Sequence, residues 1–217
     1  MMNSRERIQA VLEHRQPDRV PLDLGATAVS GITASALHNL RHALGLEDRL
    51  VRVYEPYQML GIVDDDVLDT LGVDCVPLAL PSTFFGFPAS DWKPFTLNDG
   101  TPVLVPGLFN TDREPDGTLY QYPLGDKSFA PSSRMPAGGW YHDSIERQEP
   151  YDENALDPEE WVRDMYQVLP EEALRALEAR ATYLYNETSR ALVGGLGGGS
   201  FGDIAWVPAR GVPRPKG

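Results

Sequence analysis

The sequence predicts an α/β fold in which helices separate parallel strands. Three short apolar segments have the composition of buried strands and span residues 19–24, 74–80 and 191–195. Much of the chain between these segments has apolar residues at helical spacing. Strands and helices therefore alternate, which is the order expected of successive βα units. Such units build either a doubly wound sheet or a (β/α)8 barrel, and the order of elements leaves both open.

The first predicted helix begins near Ser4, whose hydroxyl suits an N-cap, and it ends before Pro17. Three residues at i, i+3 and i+4 spacing form its predicted apolar face: Ile8, Val11 and Leu12. The run "DRVPLDLG", residues 18–25, then predicts a short strand that ends in a glycine turn.

Two further helices are predicted over about residues 32–44 and 57–72, because apolar side chains recur on one side of each segment. Gly45 and Gly72 follow these segments at positions that favour C-terminal caps. The next residues, 73–80, are nearly all apolar, which is typical of a strand buried on both faces.

Antiparallel hairpins are predicted over residues 90–125, as an insertion in the α/β chain. Residues 98–100 (Asn-Asp-Gly) separate two β-like runs, and residues 115–117 (Pro-Asp-Gly) repeat the same turn chemistry. Residues 126–150 are rich in Pro, Gly and Ser and are predicted to be irregular. Residues 1–217 are interpreted as one domain that contains this insertion.

The rest of the chain predicts helices that begin at Asp157 and at Pro170, each followed by acidic residues in the first turn. The second helix runs to about residue 189 and leads directly into the strand at 191–195. This order of helix and strand again matches a βα chain.

Composition and charge exclude several classes of protein. Apolar residues make up 41% and charged residues 24% of the chain, as in globular domains. No apolar run approaches the ~20 residues that span a bilayer, and the charged N-terminus lacks a signal peptide, so a cytoplasmic protein without membrane contact is expected. The net charge of −13 repels polyanions, which excludes nucleic acid as a partner.

The stretch "ALVGGLGGGSFGD", residues 191–203, contains the spacing G-x-G-x-x-G. A dinucleotide fingerprint also needs a following helix, and Pro208, Pro213 and Pro215 exclude one here. The stretch therefore predicts a strand whose carboxyl end needs bare backbone, because a ligand or a chain segment approaches it closely. Three residues are predicted to form the wall of a substrate cleft there: Gly195, Gly198 and Phe201.

Two segments carry a resemblance to a known family: "NSRERIQAVLEHRQPDRVPLDLG", residues 3–25, and "LVGGLGGGSFGD", residues 192–203. Both resemble segments of the uroporphyrinogen decarboxylase superfamily, which includes the decarboxylases of haem biosynthesis and cobalamin-dependent methyltransferases. The resemblance implies a (β/α)8 TIM barrel with its active site at the carboxyl ends of the strands. It further implies that this chain is an N-terminal fragment, incomplete at its C-terminus, that holds little more than the first half of the barrel.

The chain departs from the decarboxylase pattern at two places. The decarboxylases carry arginines just after the first strand, which bind substrate carboxylates, whereas no Lys or Arg lies between Val20 and Leu40 here. They also carry an Asp beyond the second strand, whereas no acid lies between Val76 and Ala89. The resemblance is therefore closer to the methyltransferase branch, with uroporphyrinogen III decarboxylase as the alternative.

The methyltransferase branch implies transfer of a methyl group from a small methoxy, methylamine or methylthiol compound to a corrinoid (cobalamin) on a partner protein. It also implies zinc held by His and Cys from the second half of a full-length barrel, so no metal ligand is assigned within this chain. A further alternative is a non-catalytic truncated module. Because a half-barrel exposes sheet edges, such a module would be expected to form a homodimer.

The carboxyl ends of the predicted strands supply the other candidate residues. Asp23 follows the first strand, and Glu55 stands before Pro56 at what reads as an extended strand end. Both are candidate catalytic residues, with a turn cap as the simpler interpretation of Asp23. Tyr54 belongs to the same cleft edge as Glu55. The predicted substrate-binding residues of this region are Thr27, Tyr57 and Phe85.

The remaining titratable residues have simpler interpretations. Cys75, the one cysteine, lies in an apolar run and is interpreted as a core residue, which also excludes an internal disulfide. His142 lies in a predicted loop beside Asp143 and is a candidate ligand or acid. The other histidines are predicted to be surface residues on helices: His14, His38 and His42.

Overall fold

The structure is a computed structural model that describes residues 1–80, 82–145 and 168–195, together with Asn154, Asp157 and Glu159. These residues form a mixed α/β fold with several sheets and few helices. The helices are α1 (Ser4–Leu12), α2 (Ala34–Ala43), α3 (Asp65–Leu71), a short 3-10 helix (Pro123–Gly125) and α4 (Glu171–Glu187). The strands are β1 (Val51–Glu55), β2 (Leu60–Gly61), β3 (Cys75–Leu78), β4 (Lys93–Thr96), β5 (Pro102–Val105), β6 (Thr111–Arg113), β7 (Leu119–Gln121), β8 (Ser133–Met135), β9 (Asp143–Ser144) and β10 (Ala191–Gly194).

The first sheet has the strand order β2-β1-β5-β4. The predicted hairpin is confirmed, because β4 and β5 pair in antiparallel fashion around the turn at residues 98–100. Gly100 adopts a φ of +88° in that turn, a value that a glycine reaches without strain. β5 also pairs in parallel with β1, so this part of the predicted insertion shares a sheet with the strand that precedes it.

The second sheet is the parallel pair β3 and β10, which confirms two of the three strands predicted for βα units. Their register runs from Cys75 opposite Ala191 to Leu78 opposite Gly194. The two carboxyl ends therefore lie at the same edge. α4 leads into β10, as the sequence predicts. Among the described residues these strands do not close into a barrel.

The predicted strand at 19–24 is wrong, because that segment forms bends rather than a strand. Pro21 lacks a backbone donor, so a continuous ladder cannot form there. The backbone N–H of Leu22 donates instead to the carboxylate of Asp74, at 2.9 Å, and its carbonyl accepts from the N–H of Asp74, at 2.7 Å. The segment thus lies beside the start of β3 without extending its sheet.

The third sheet is an antiparallel meander with the order β6-β7-β8-β9. The turn predicted at residues 115–117 joins its first two strands, and Gly117 has a φ of +95°. The prediction of irregular structure from residue 126 onward is wrong as far as β8 and β9 are concerned. These strands are only three and two residues long, too short to produce a clear alternating pattern in the sequence.

Helix α1 is where the sequence predicts it, but its buried side differs. Asn3 rather than Ser4 is the N-cap, and Asn3 and Glu6 form a reciprocal capping box. Val11 and Leu12 are 40% and 76% exposed, so the predicted apolar face is wrong. The buried residues are Arg7 and Ala10, because Arg7 docks the helix through ion pairs rather than through an apolar face.

The predicted helix at 32–44 is confirmed as α2, capped by Thr33 and followed by Gly45 with a φ of +67°. The helix predicted over 57–72 is correct only in its second half, where α3 ends at Gly72 in the left-handed conformation. Residues 60–61 form β2 instead, since a turn after Glu55 reverses the chain onto β1. Of the helix predicted from Asp157, too few residues are described for a comparison.

The main core lies between α2, the first sheet and the loops around it. Its fully buried members come from α2, β1, β5, and the segment that follows β3: Leu37, Val51, Val53, Val103, Val105, Phe85 and Phe87. A smaller cluster joins the second sheet to α3 and α4: Leu68, Val73, Val76 and Leu184.

Replacing Gly61 with alanine should lower the free energy of unfolding by about 1–3 kcal/mol, because the core cannot accept the extra methyl group. A Cβ at this position would lie 2.6 Å from Val51 Cγ1 and 3.0 Å from Leu37 Cδ2. Urea unfolding followed by circular dichroism measures the difference. Gly195→Ala is the matched control, since a Cβ there meets no described atom within 4 Å and should be neutral or slightly stabilising. Equal midpoints for the two variants would contradict the close packing of α2 on β1.

Candidate functional site

Glu55 ends β1, as the sequence predicts from its position before Pro56, and its side chain is 4% exposed. Its two carboxylate oxygens accept the backbone N–H groups of Tyr57, at 2.9 Å, and of Gln58, at 2.8 Å. Burial raises the pKa of Glu55, and the two backbone hydrogen bonds offset this only in part. The side chain therefore holds the turn into β2 and retains a proton above the usual range of a glutamate.

Tyr54 precedes Glu55, and its hydroxyl is buried without a hydrogen-bond partner among the described residues. Burial, together with the negative charges of Glu55 and Asp23, raises the pKa of Tyr54 to about 12. The hydroxyl is therefore protonated at neutral pH and acts as a donor. The two candidate catalytic residues, Asp23 and Glu55, both contribute to the raised pKa of this hydroxyl.

Asp23 lies near the end of the segment at 19–24, and its side chain is exposed. One carboxylate oxygen accepts a hydrogen bond from the backbone N–H of Ala26 at 3.2 Å. This contact caps the turn, which is the simpler of the two interpretations of Asp23. Thr27 follows in the same loop, where its Oγ1 lies 3.4 Å from Ser30 Oγ. Asp23 and Thr27 are thus neighbours, and their catalytic and binding roles stay predictions.

Cys75 opens β3 as a buried residue, in agreement with the interpretation as a core residue. Burial raises the pKa of its thiol to about 11, and the charges of Asp23 and Asp74 act in the same direction. The side chain is therefore a neutral thiol. Since metals bind the thiolate, this environment does not suit a zinc ligand.

Aromatic side chains surround the turn after β1. The ring of Tyr57 lies 6.4 Å from that of Phe84 and 6.3 Å from that of Phe85, and its hydroxyl is 3.2 Å from Ser144 Oγ. Phe85 is fully buried and stacks on Phe87, whereas Phe84 is 54% exposed. Of the two neighbouring phenylalanines, Phe84 therefore offers the open surface, and the predicted binding residue Phe85 supports it from the core.

His142 lies in the loop before β9, as the sequence predicts, and it is almost completely buried. Its Nδ1 is 3.1 Å from Ser133 Oγ, its backbone N–H donates to the carbonyl of Tyr57 at 2.7 Å, and its Nε2 has no hydrogen-bond partner among the described residues. The rings of Phe85 and Phe109 stand edge-on to it, each at 6.0 Å. Burial lowers the pKa of His142 to about 3, so the imidazole is neutral at pH 7 and does not serve as an acid there.

The predicted cleft wall after β10 is described only in part. Gly195 follows the strand directly, and the space a side chain would fill there contains no described atom within 4 Å. This open space is compatible with a ligand approaching the bare backbone, as the sequence predicts. Gly198 and Phe201 lie outside the described residues.

An ion-pair network lies at the amino end of β3, and it is not among the features predicted from the sequence. Asp74 is fully buried and accepts from Arg7 Nη1 at 2.6 Å and from Arg19 Nη1 at 2.8 Å. Arg7 also contacts Asp18 at 2.7 Å. The segment Pro-Asp-Arg at 17–19, which carries part of the family resemblance, therefore has a structural role in this chain. The one sequence signal for this network is Asp74, a single acidic residue at the start of an apolar run.

The amino end of β10 is held in a similar way by Arg190. Its Nε donates to the carbonyl of Val73 at 3.2 Å, and its guanidinium pairs with Asp69 and, at 3.3 Å, with Asp65. Arg5 donates to the carbonyl of Arg190 at 3.2 Å. Both parallel strands thus begin in charged networks that join them to α1 and α3, and the opposite, carboxyl edge is free of these contacts.

A separate open groove of about 630 Å³ lies on the third sheet. It is lined mainly by polar side chains from β6 to β9: Glu114, Tyr120, Tyr122, Arg134 and Ser144. Ser144 links the groove to Tyr57 through their hydroxyl contact. None of its lining residues is among the candidates that the sequence predicts.

Comparisons of the chain with protein-family models, with curated proteins and with solved structures each found no match. Within the described residues, no helix combines the length and the apolar character that crossing a membrane requires. The functional assignment therefore depends on the residues of the cleft edge and their chemistry.

Proposed function

We propose that this chain is the N-terminal part of a (β/α)8-barrel enzyme similar to the uroporphyrinogen decarboxylase superfamily, acting as a methyltransferase on a small methylated compound. A corrinoid protein would be its partner. The observation that carries the proposal is the buried hydroxyl of Tyr54, which lacks a hydrogen-bond partner among the described residues. It is a protonated donor at the carboxyl end of β1.

The placement of the charged networks supports a barrel of this kind. In (β/α)8 barrels, the amino ends of the strands serve stability and the carboxyl ends carry the chemistry. The amino ends of β3 and β10 are held by Asp74 and Arg190. Their carboxyl ends coincide, with Leu78 opposite Gly194, and lead into the glycine-rich stretch. A cleft at that edge would present open backbone at Gly195 to a ligand.

The chemistry of a methoxy donor fits this arrangement. When the methyl carbon leaves the ether, the C–O bond breaks and the oxygen keeps the electron pair, so it needs a proton or a strong hydrogen bond. A corrinoid would supply the nucleophile that accepts the methyl group. Tyr54 would donate a hydrogen bond to the leaving oxygen, and the proton that completes the alcohol or phenol product would come from solvent. Neither step requires the arginines that a polycarboxylate substrate needs.

Methyl transfer should be detectable when the protein from the full reading frame is mixed with cob(I)alamin and a methoxyarene, and Tyr54→Phe should lower kcat by about 10²–10⁴-fold. The loss of the cob(I)alamin absorbance measures the rate. Tyr183→Phe is the matched control, because Tyr183 is 57% exposed on α4 and should leave kcat unchanged. Methylamines and methylthiols tested in parallel define the class of donor.

Other outcomes of the same assay identify the alternatives. Formation of coproporphyrinogen from uroporphyrinogen III, without methyl transfer, would replace the proposal with the decarboxylase. Absence of both reactions, in a protein whose circular dichroism shows it to be folded, would favour a non-catalytic module. A Tyr54→Phe variant as active as the parent would remove Tyr54 from the site even if methyl transfer occurs.

A further inference from the structure

Three potential metal ligands meet on the outer side of α2, away from the candidate cleft. His38 and His42 are one helical turn apart, and their Nε2 atoms lie 3.2 Å from each other. Asp48, in the segment between α2 and β1, places Oδ1 3.7 Å from His42 Nε2. The three donor atoms all lie within 4.8 Å of one another. His38 is half-buried, and the other two side chains are exposed.

The separation of the two nitrogens matches a shared metal ion. Zn–N bonds of about 2.0–2.1 Å at a tetrahedral angle place two ligand nitrogens about 3.3 Å apart. The observed 3.2 Å is close to this value, and a metal ion would replace the hydrogen bond that now joins the two nitrogens. Asp48 is on an exposed segment, so a small rotation of its side chain brings the carboxylate to the third ligand position.

The surrounding charges favour a cation at this point. The nearest buried cation, Arg41, is already neutralised by Asp66, at 2.9 Å, and also donates to the carbonyl of Glu47, at 2.8 Å. Arg49 is paired with Asp66 as well, at 2.6 Å. The C-terminal end of a helix, where His42 lies, carries a partial negative charge. No unpaired positive group among these neighbours would repel a bound ion.

The geometry points to a zinc-binding site formed by His38 Nε2, His42 Nε2 and Asp48 Oδ1, with water as the fourth ligand. Two imidazoles and a carboxylate suit Zn²⁺ better than Mg²⁺ or Ca²⁺, which prefer a full set of oxygen ligands. The sequence predicts both histidines only as surface residues on a helix. Because the helix holds the two histidines in place, the metal would bind a largely preformed pair.

Zinc at this site would tie the segment around Asp48 to the last turn of α2. That segment connects α2 to β1, the strand that carries Tyr54 and Glu55. The ion would therefore stabilise the connection and the start of the first sheet. The role is structural, and it is independent of the proposed function, because none of the three ligands belongs to the candidate cleft.

Isothermal titration of the protein with ZnCl₂ should show one ion per chain, and His42→Gln or His38→Gln should weaken binding at least about tenfold. Asp48→Asn should weaken it less, since an amide oxygen can still act as a weak ligand. His14→Asn is the control, because it removes a histidine outside the site and asparagine tolerates the φ of +56° found there. MgCl₂ should produce no specific binding.

A thermal shift provides the second measurement. Zinc at about one hundred times its Kd should raise Tm by about 5 °C in the parent protein and in His14→Asn, and by much less in the His38→Gln/His42→Gln double variant. Binding of zinc by the double variant with parental affinity would overturn the proposal, as would the absence of binding at a large excess of zinc. Both helix positions are on the outer side of α2, so the substitutions leave the core intact.

Discussion

Replacing Asp74 with alanine should lower the free energy of unfolding by about 3 kcal/mol or more, the largest effect that we expect from a single substitution in the described residues. The carboxylate is fully buried and is contacted by Arg7, Arg19 and the backbone N–H of Leu22. Its removal leaves these donors without their partner at the point where α1, the 19–24 segment and β3 meet. Urea unfolding followed by circular dichroism measures the loss.

The exposed ion pair between Arg15 and Glu13 is the matched control. Both side chains are about half-exposed, so Arg15→Ala should leave the unfolding midpoint nearly unchanged. If Asp74→Ala is as mild as Arg15→Ala, the buried network does not hold the amino end of β3. Asp74→Asn separates the contribution of the charge from that of the side-chain shape, because it keeps the shape and removes the charge.

The Asp74 network also sets the behaviour of the protein in strong acid. Burial alone would raise the pKa of Asp74, but hydrogen bonds from Leu22, Ser4, Arg19 and Arg7 outweigh it and lower the pKa below 3.8. The hydrogen bond from Arg7 lowers the pKa of Asp18 to about 2. Carboxylates with depressed pKa values stabilise the fold above their ordinary pKa, and the stabilisation is lost as the pH falls towards about 2.

Replacing His142 with phenylalanine should remove a separate loss of stability, one that occurs at less acidic pH. The pKa of His142 is lowered from 6.5 to about 3 by burial, so the unfolded chain binds a proton that the folded chain excludes. The parent should therefore keep its full stability above pH 6.5 and lose about 2 kcal/mol between there and about pH 5. Urea unfolding at several pH values measures the slope, and phenylalanine should abolish it because the ring cannot titrate.

His14→Asn is the control for this slope, since His14 is exposed and its replacement should preserve the acid sensitivity. The pH interval in which the His142 effect is measured lies above the pH range in which Asp18 and Asp74 titrate. The effect of the histidine and that of the carboxylates are therefore measured separately. Equal slopes for His142→Phe and the parent would contradict the buried neutral state of this histidine. Phenylalanine also fits the surroundings of His142, which include the rings of Phe85 and Phe109.

Local chemistry explains why several elements could be predicted from the sequence. The caps and turns around α2 and the hairpins depend on residues adjacent in the chain, such as Thr33, Gly45 and Gly100. The apolar runs that form β3 and β10 are recognisable because both strands lie against other elements of the chain. The prediction that Glu55 ends an extended strand rests on the backbone restriction before Pro56.

The failures have a common cause in contacts between distant residues. The 19–24 segment has the composition of a strand, yet its backbone bonds to the side chain of Asp74. The face of α1 was misjudged because Arg7, a charged residue, is buried by partners far along the chain. The burial of His142 in its loop is not predictable either, because the neighbouring strands β8 and β9 are short and carry little sequence signal.

The sequence by itself determined the α/β character, the main turns and caps, and which residues could carry proton chemistry at strand ends, because these depend on local backbone preferences and side-chain type. Only the tertiary structure decided that the Tyr54 hydroxyl is buried, that Asp74 binds two arginines, and that Asp48 lies beside the histidines of α2. The physical reason is that burial and electrostatic environment arise from residues far apart in the chain, and no local pattern encodes them.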